Sequence, residues 1–321
     1  MTETVFRPDY SSLIDAETWA FIKRTEQYYP PDTVGLSIER QREIYDGMCR
    51  EFYRGYPAGV VSEDATIESD GYAVVLRSYK NTNQLKKSAA IVVYFHGGGF
   101  VVGGLESHDD ICAEICSTTG FQVVAVDYRL SPEHTHPAAF QDALIAVLSI
   151  AGENPQPLVL CGDSAGGNLA AAVSHAVRGK SVNLAGQLLI YPTLGGEITK
   201  GSYVKHANAP MLTTLDVKYY LEIRRGKTNI ESDFTFAPLL DSNFSELPPT
   251  VVFSAECDPL CDDSELYANA LVAAGGRACC IKEAGMVHGY LRARSTVTRA
   301  HDSFTRILDK LAMLGHQEWS A

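Results

Sequence analysis

The chain has 321 residues, 45% apolar and 21% charged, with 26 glycines and 14 prolines. That is ordinary globular composition, and it excludes a disordered tail, a collagen-like rod and a disulfide-stapled miniprotein. Thirty-nine acidic against 27 basic residues leave a formal charge of −12, which disfavours nucleic acid, an anionic membrane surface and a strongly anionic substrate as partners. Length alone suggests about two domains, although α/β folds of this size are often one domain with insertions.

The opening MTETVFRPDY lacks the basic start and apolar run of a signal peptide, and no stretch approaches the ~18 apolar residues that span a bilayer. The eight cysteines include Cys112 with Cys116, Cys257 with Cys261, and Cys279 beside Cys280. None forms a pair of C-x-x-C knuckles, so structural zinc is not expected; reduced, mostly buried thiols in a cytoplasmic protein are.

The first sixty residues read as amphipathic helix. Ser12 is placed to cap a helix through Trp19 and Ile22 to about Gln27, and Tyr-Tyr-Pro-Pro (28–31) breaks it. Ser37 caps a second, with Ile44, Tyr45, Met48 and Phe52 at helical spacing. No strand is expected before residue 60. Residues 65–69 and 72–79 then flank Asp70-Gly71, a two-residue hairpin signal.

Ala89–Phe95 is a continuous apolar run, the mark of a strand buried on both faces. Ser107 with Asp110 suits the cap of a helix ending at Gly120, and Phe121–Val126 is the next strand. A helix at about 138–150, a strand at Leu158–Cys161, a helix from Ser164 to about Arg178 and a strand at Ala185–Tyr191 follow. Residues 195–240 are more polar and less regular, with one helix at about 214–225. Thr250–Ala255, a helix at 263–274, a last strand at Arg277–Lys282 and an amphipathic C-terminal helix complete the pattern. Strands alternating with helices imply a mostly parallel sheet covered on both faces, with the hairpin as an antiparallel edge. Residues 1–60 and 195–240 are not needed for that sheet and are expected to form a helical cap, leaving 61–194 and 241–321 as the catalytic domain.

Residues 162–166 read Gly-Asp-Ser-Ala-Gly, between a short buried strand and a helix rich in small residues. In that context G-x-S-x-G is a nucleophile elbow: a tight turn that strains Ser164 and aims the helix N-terminus at an oxyanion beside it. His-Gly-Gly-Gly (96–99), directly after a buried strand, supplies backbone donors without obstructing side chains. The N–H groups of Gly98, Gly99 and Ala165 are assigned to the oxyanion hole, with His96, Gly97 and Asp163 in support. The loop lacks the G-K-[ST] ending of a phosphate-binding loop.

A serine needs a base, and the base an orienting acid, which on such a sheet follow in the order Ser, Asp or Glu, His. His288, in a loop after the last strand, is the candidate base; His301 sits in a helix and His316 in the tail. Among the carboxylates of 256–263, Asp258 is preferred because Pro259 fixes a turn after it, with Asp262 in reserve. Glu133, His134 and His136 are read as a rigid loop beside Pro132 and Pro137 rather than a metal cluster, and Cys161 as core. Tyr219 and Tyr220 are left open between lining a pocket and packing.

These residues resemble the hormone-sensitive lipase family of α/β-hydrolase carboxylesterases: His-Gly-Gly-Gly-Phe (96–100), Asp-Tyr-Arg-Leu-Ser-Pro-Glu-His (127–134), Gly-Asp-Ser-Ala-Gly-Gly (162–167), Asp-Pro-Leu (258–260) and His-Gly-Tyr (288–290). The Asp-Pro-Leu-x-Asp-Asp-Ser wording is most like bacterial acetyl esterases. The resemblance implies an α/β-hydrolase fold with an eight-stranded, mostly parallel sheet flanked by helices, and a cap built from the N-terminal segment and an insert after the sixth strand. It implies a Ser164–Asp258–His288 triad, no metal or organic cofactor, and short-chain ester hydrolysis. The family more often has Ala where Ser131 stands and Phe where Tyr290 stands. Its members often dimerise, and exposed C-terminal edges admit a homodimer here. A metabolite-specific amidase or deacylase would use the same triad. A ligand-binding protein on this scaffold would typically lack the catalytic His, and 195–240 shows no strongly apolar lid helix for a long-chain lipase.

Overall fold

The computed structural model describes residues 8–84 and 88–319, so the first seven residues, on which the signal-peptide reading rests, lie outside it. The chain opens with α1 (Tyr10–Leu13), α2 (Ala16–Tyr28) and α3 (Ile38–Phe52). Asp9 and Asp15 cap the first two helices: Asp15 accepts the Thr18 N–H at 2.8 Å, so Ser12 lies inside α1 instead of capping a longer helix. The Ser12 hydroxyl donates instead to Asp9 O at 2.8 Å, and the charged carboxylates suit the helix N-termini. Ser37 does cap α3.

The hairpin of β1 (Val60–Ser69) and β2 (Tyr72–Asn81) turns at Asp70 and Gly71, with φ of 52° and 76°, the positive pair that a type I′ turn requires. Next come β3 (Ile91–Phe95), α4 (Asp109–Thr119), β4 (Gln122–Asp127), α5 (Ala138–Glu153), β5 (Leu158–Asp163), α6 (Ala165–Val177) and β6 (Leu184–Ile190). Ser107 does not cap α4. Its hydroxyl is taken by Gly104 and His108 in the preceding turn. After β6 come α7 (Gly201–Lys205), α8 (Thr214–Arg225), β7 (Thr250–Cys257), α9 (Cys261–Ala273), β8 (Ala278–Val287) and α10 (Thr298–Gly315).

The eight strands form one sheet in the order β1-β2-β4-β3-β5-β6-β7-β8. β1 and β2 pair antiparallel, β2 joins β4 antiparallel, and the remaining pairings are parallel. β3 and β5 are buried along their whole length, as strands covered on both faces must be. Val92 and Tyr94 pack with Ile111, Ile115, Ile307 and Leu311 of α4 and α10. Ile91, Val93 and Phe95 pack with Ala143, Val147, Leu169 and Leu271 of α5, α6 and α9. The last strand runs five residues beyond the expected Lys282, to Val287, so Gly285–Val287 is strand and not loop. No described helix is long and apolar enough to cross a membrane.

β5 and α6 cross so closely that two glycines are obligatory. A Cβ on Gly162 would lie 2.4 Å from the Gly166 carbonyl carbon, and one on Gly166 only 1.9 Å from the Phe95 oxygen. Gly166→Ala is expected to cost at least about 3 kcal/mol of unfolding free energy in urea titration, because backbone must move. Gly152→Ala in α5, with nothing within 4 Å of its Cβ, is the control and gains about 0.5–1 kcal/mol. Equal effects would contradict the close crossing.

Candidate active site

Ser164 stands at the β5–α6 turn with φ 53° and ψ −116°, a strained conformation for a residue with a Cβ. The turn is pinned where the strain is: the Ser164 N–H donates to Ile190 O at 2.8 Å, and its carbonyl accepts from Asn168 and Thr193. The hydroxyl therefore projects beyond the carboxyl ends of the central strands.

His288 follows β8 directly, between Gly285 and Gly289, both at positive φ. Its Nε2 lies 2.9 Å from Ser164 Oγ and its Nδ1 2.6 Å from Asp258 Oδ2. Asp258 is completely buried, and its other oxygen accepts the Leu260 N–H at 2.9 Å across the Pro259 turn. The Nδ1–H therefore donates to the carboxylate, leaving Nε2 as the acceptor that faces the serine. The reserve acid Asp262 is occupied elsewhere, accepting the Ser202 N–H at 2.8 Å. Asp263 gathers the N–H groups of Leu194, Gly195 and Gly196. His301 and His316 are exposed and remote from this set.

Gly98 and Gly99 have φ of 129° and 60°, and their N–H groups, with that of Ala165, meet no acceptor among the described residues. Gly99 lies under the Tyr220 ring, 2.6 Å from where a Cβ would be. Asp163 turns away from the serine and ties the loop down: its Oδ1 accepts from Tyr94 O–H at 2.9 Å and Gly97 N–H at 2.9 Å, with His108 Nε2 at 3.2 Å. Burial pushes its carboxyl up, but His108, Tyr94 and the Arg292 charge together hold it well below the usual range. His96 is structural. Its Nδ1 contacts Gly97 O at 2.8 Å, Tyr128 stacks on its ring, and burial drives its pKa down to about 3, so it stays neutral.

The Glu133–His136 loop is tied to its neighbours by side-chain contacts. Glu133 pairs both oxygens with Arg42 of α3, at 2.9 and 2.7 Å, and His136 Nε2 meets Asp233 at 2.9 Å. Ser131 donates to His134 O, Tyr290 meets Ser303 at 2.8 Å, and Cys161 is core. No cluster of three or more His, Cys, Asp or Glu suited to a metal occurs among the described residues.

A cavity of about 610 Å³ opens on Ser164 and His288. Its wall takes Tyr29 from the end of α2, Tyr45 and Met48 from α3, and Met211, Leu212, Val217 and Tyr220 from the 195–240 segment. The two open tyrosines divide: Tyr220 lines the cavity and bonds Tyr29 at 3.0 Å, whereas Tyr219 packs behind it on Gln41 at 2.6 Å. The sequence reading missed Tyr45, His108, Tyr191 and Arg292, also on this wall. Tyr191 ends a buried strand at its carboxyl end, where sites form, and that signal was available. The others carry none.

A family model described as alpha/beta hydrolase fold matches residues 92–292. Carboxylesterase NlhH of Mycobacterium tuberculosis is 34% identical over 266 residues, 79% of this chain and 83% of that protein. The ethyl acetate hydrolase of Pseudomonas putida is 29% identical over 78% of this chain and 82% of that protein. Among solved structures, a Pyrobaculum calidifontis esterase superposes with TM-score 0.83 at 29% identity, covering 94% of this chain and 99% of that one. An alpha/beta hydrolase enzyme from the Lake Arreo metagenome gives 0.87 at 26%, covering 95% and 98%. The chain belongs to the alpha/beta hydrolase family.

Because the Asp163 carboxyl is held below its unfolded value, its stabilisation is present at neutral pH and is lost as pH falls below about 4. Asp163→Asn should lower the unfolding free energy by about 2–4 kcal/mol at pH 7, with the gap narrowing toward pH 3. A gap constant across that range would contradict the linkage.

Proposed function

We propose that this carboxylic ester hydrolase cleaves short-chain esters, acetyl to butyryl or hexanoyl, through Ser164, His288 and Asp258. The observation that carries the reading is the pair of contacts made by one imidazole, 2.9 Å to the serine and 2.6 Å to a fully buried carboxylate. Ser164 Oγ attacks the ester carbonyl carbon as His288 Nε2 takes its proton. Asp258 holds the ring's tautomer and stabilises the imidazolium. The carbonyl oxygen becomes an oxyanion received by the N–H groups of Gly98, Gly99 and Ala165; one such donor is worth about 3 kcal/mol of barrier. His288 then protonates the departing alcohol. Water, activated by the same ring, hydrolyses the acyl-enzyme.

Residues 1–60 and 195–240 act as the cap in this reading. Support comes from the Tyr29–Tyr220 and Gln41–Tyr219 contacts and from the wall both segments give the cavity. The chemistry assigned to these side chains calls on no cofactor. The name of the Pseudomonas putida relative supports a short acyl group. Eight free cysteines, six of them buried, fit a reducing cytoplasm. We keep a small-molecule ester as the partner, with no role for nucleic acid or membrane, and a homodimer as the proposed assembly.

Hydrolysis of p-nitrophenyl esters from acetate to decanoate tests this. Rates should peak at the short acids, and Ser164→Ala should fall at least ~10³-fold while melting at the wild-type temperature. A maximum at decanoate would overturn the chain-length reading. Undiminished turnover by Ser164→Ala would overturn the triad.

A further inference from the structure

The buried and half-buried arginines differ in what meets their charge. Arg77, Arg129 and Arg294 each pair with carboxylates: Arg77 with Asp64, Glu106 and Asp109, Arg129 with Asp142, Arg294 with Asp110 and Glu114. Arg224 has no carboxylate partner among the described residues; its two terminal nitrogens donate to the carbonyls of Phe236 and Thr235 and to Asn168 between two aromatic faces, while its Nε is sealed in the core without an acceptor. Arg292 fits neither pattern. It is 9% exposed, lies on the turn after His288, and forms part of the same cavity wall as Ser164.

Among the described residues two oxygens meet the five N–H donors of Arg292: Ser107 O at 3.0 Å from Nη1 and Tyr45 Oη at 2.7 Å from Nη2. No carboxylate ion-pairs with it among the described residues. Asp163, which feels its charge, is engaged by Tyr94, Gly97 and His108. Tyr45 also lines the cavity. Its oxygen accepts from Arg292, which frees its own proton, and that proton meets no acceptor among the described residues. No Arg292 nitrogen is among the sealed, unpartnered polar atoms, so its spare donors stay within reach of an acceptor in the cavity, where a charge-assisted pair is strong.

We propose that Arg292 and Tyr45 form a subsite for a carboxylate, so that the preferred substrate is an ester carrying one negative charge, such as a hemiester of a short dicarboxylic acid or the acetyl ester of a hydroxy acid. This rests on the esterase reading and narrows its substrate class. A single charge fits the surroundings, since Glu26 and Asp216 also border the cavity and would repel a dianion. The net −12 is no obstacle at physiological salt, where exposed charges are screened beyond about 8 Å.

Two isosteric pairs test the subsite and distinguish which side of the ester bears the charge: monomethyl succinate against methyl levulinate, and acetylglycolate against acetoxyacetone. In each pair a carboxylate replaces an acetyl group of similar size. Wild-type kcat/KM should favour the charged member of at least one pair tenfold or more. The ratio should collapse toward one in Arg292→Gln, fall less in Tyr45→Phe and be partly kept in Arg292→Lys. Ratios at or below one for both wild-type pairs would overturn the proposal, and so would a ratio that Arg292→Gln leaves unmoved. Calorimetric binding of monomethyl succinate and acetylglycolate to Ser164→Ala, with and without Arg292→Gln, needs no turnover. Arg292→Gln should weaken at least one of them tenfold or more, and unchanged affinity for both overturns the subsite. Loss of all ester turnover with this charge-dependent binding intact would sink the esterase reading alone.

Discussion

The close crossing of β5 and α6 is the constraint on which the rest depends. Gly162 and Gly166 let the strand and helix backbones meet against the Phe95 and His96 carbonyls, with no room for a side chain at either place. That approach forces the turn between them and puts Ser164 at φ 53°. The strain is sustained by the buried strands β5 and β6 and by the hydrogen bond from Ser164 N–H to Ile190 O. It also fixes the helix N-terminus beside the serine, where a developing negative charge is best received.

Everything else in the site is held relative to that turn by buried polar contacts. Asp163, next to the serine in sequence, reaches back to Gly97 and fixes the glycine loop. The Leu260 N–H holds Asp258, and Gly285 and Gly289 bracket His288. The α2, α3 and α8 helices are anchored to the same frame. Arg42 grips Glu133, and Arg224 inserts between Phe100 and Phe236. The cavity is therefore shaped by side chains far apart in sequence, and its selectivity follows from their register over the serine.

The sheet was legible because each of its signals is local. The continuous apolar run of Ile91–Phe95 and the Asp70-Gly71 turn each announce an element without reference to anything distant. The three residues proposed as serine, acid and base stood out for a related reason: each lies at the carboxyl end of a strand, flanked by glycine or proline. Helix starts were less legible, because Asp9 and Asp15 cap two separate helices and the break between them, after Leu13, shows only in the folded chain. The cavity wall was least legible. Tyr45 on α3 reads as one more core position at helical spacing, and Arg292 as a basic surface residue. Only the packing of α3 against the turn after His288 gives them a common function.

Labelling with diethyl p-nitrophenyl phosphate, read by mass spectrometry, tests the central claim most directly. The strained serine, activated by His288, should take up one diethyl phosphoryl group per chain on the peptide containing Ser164, in step with the loss of esterase activity. Inactivation with the label on another residue, or full activity after Ser164 is labelled, would contradict it.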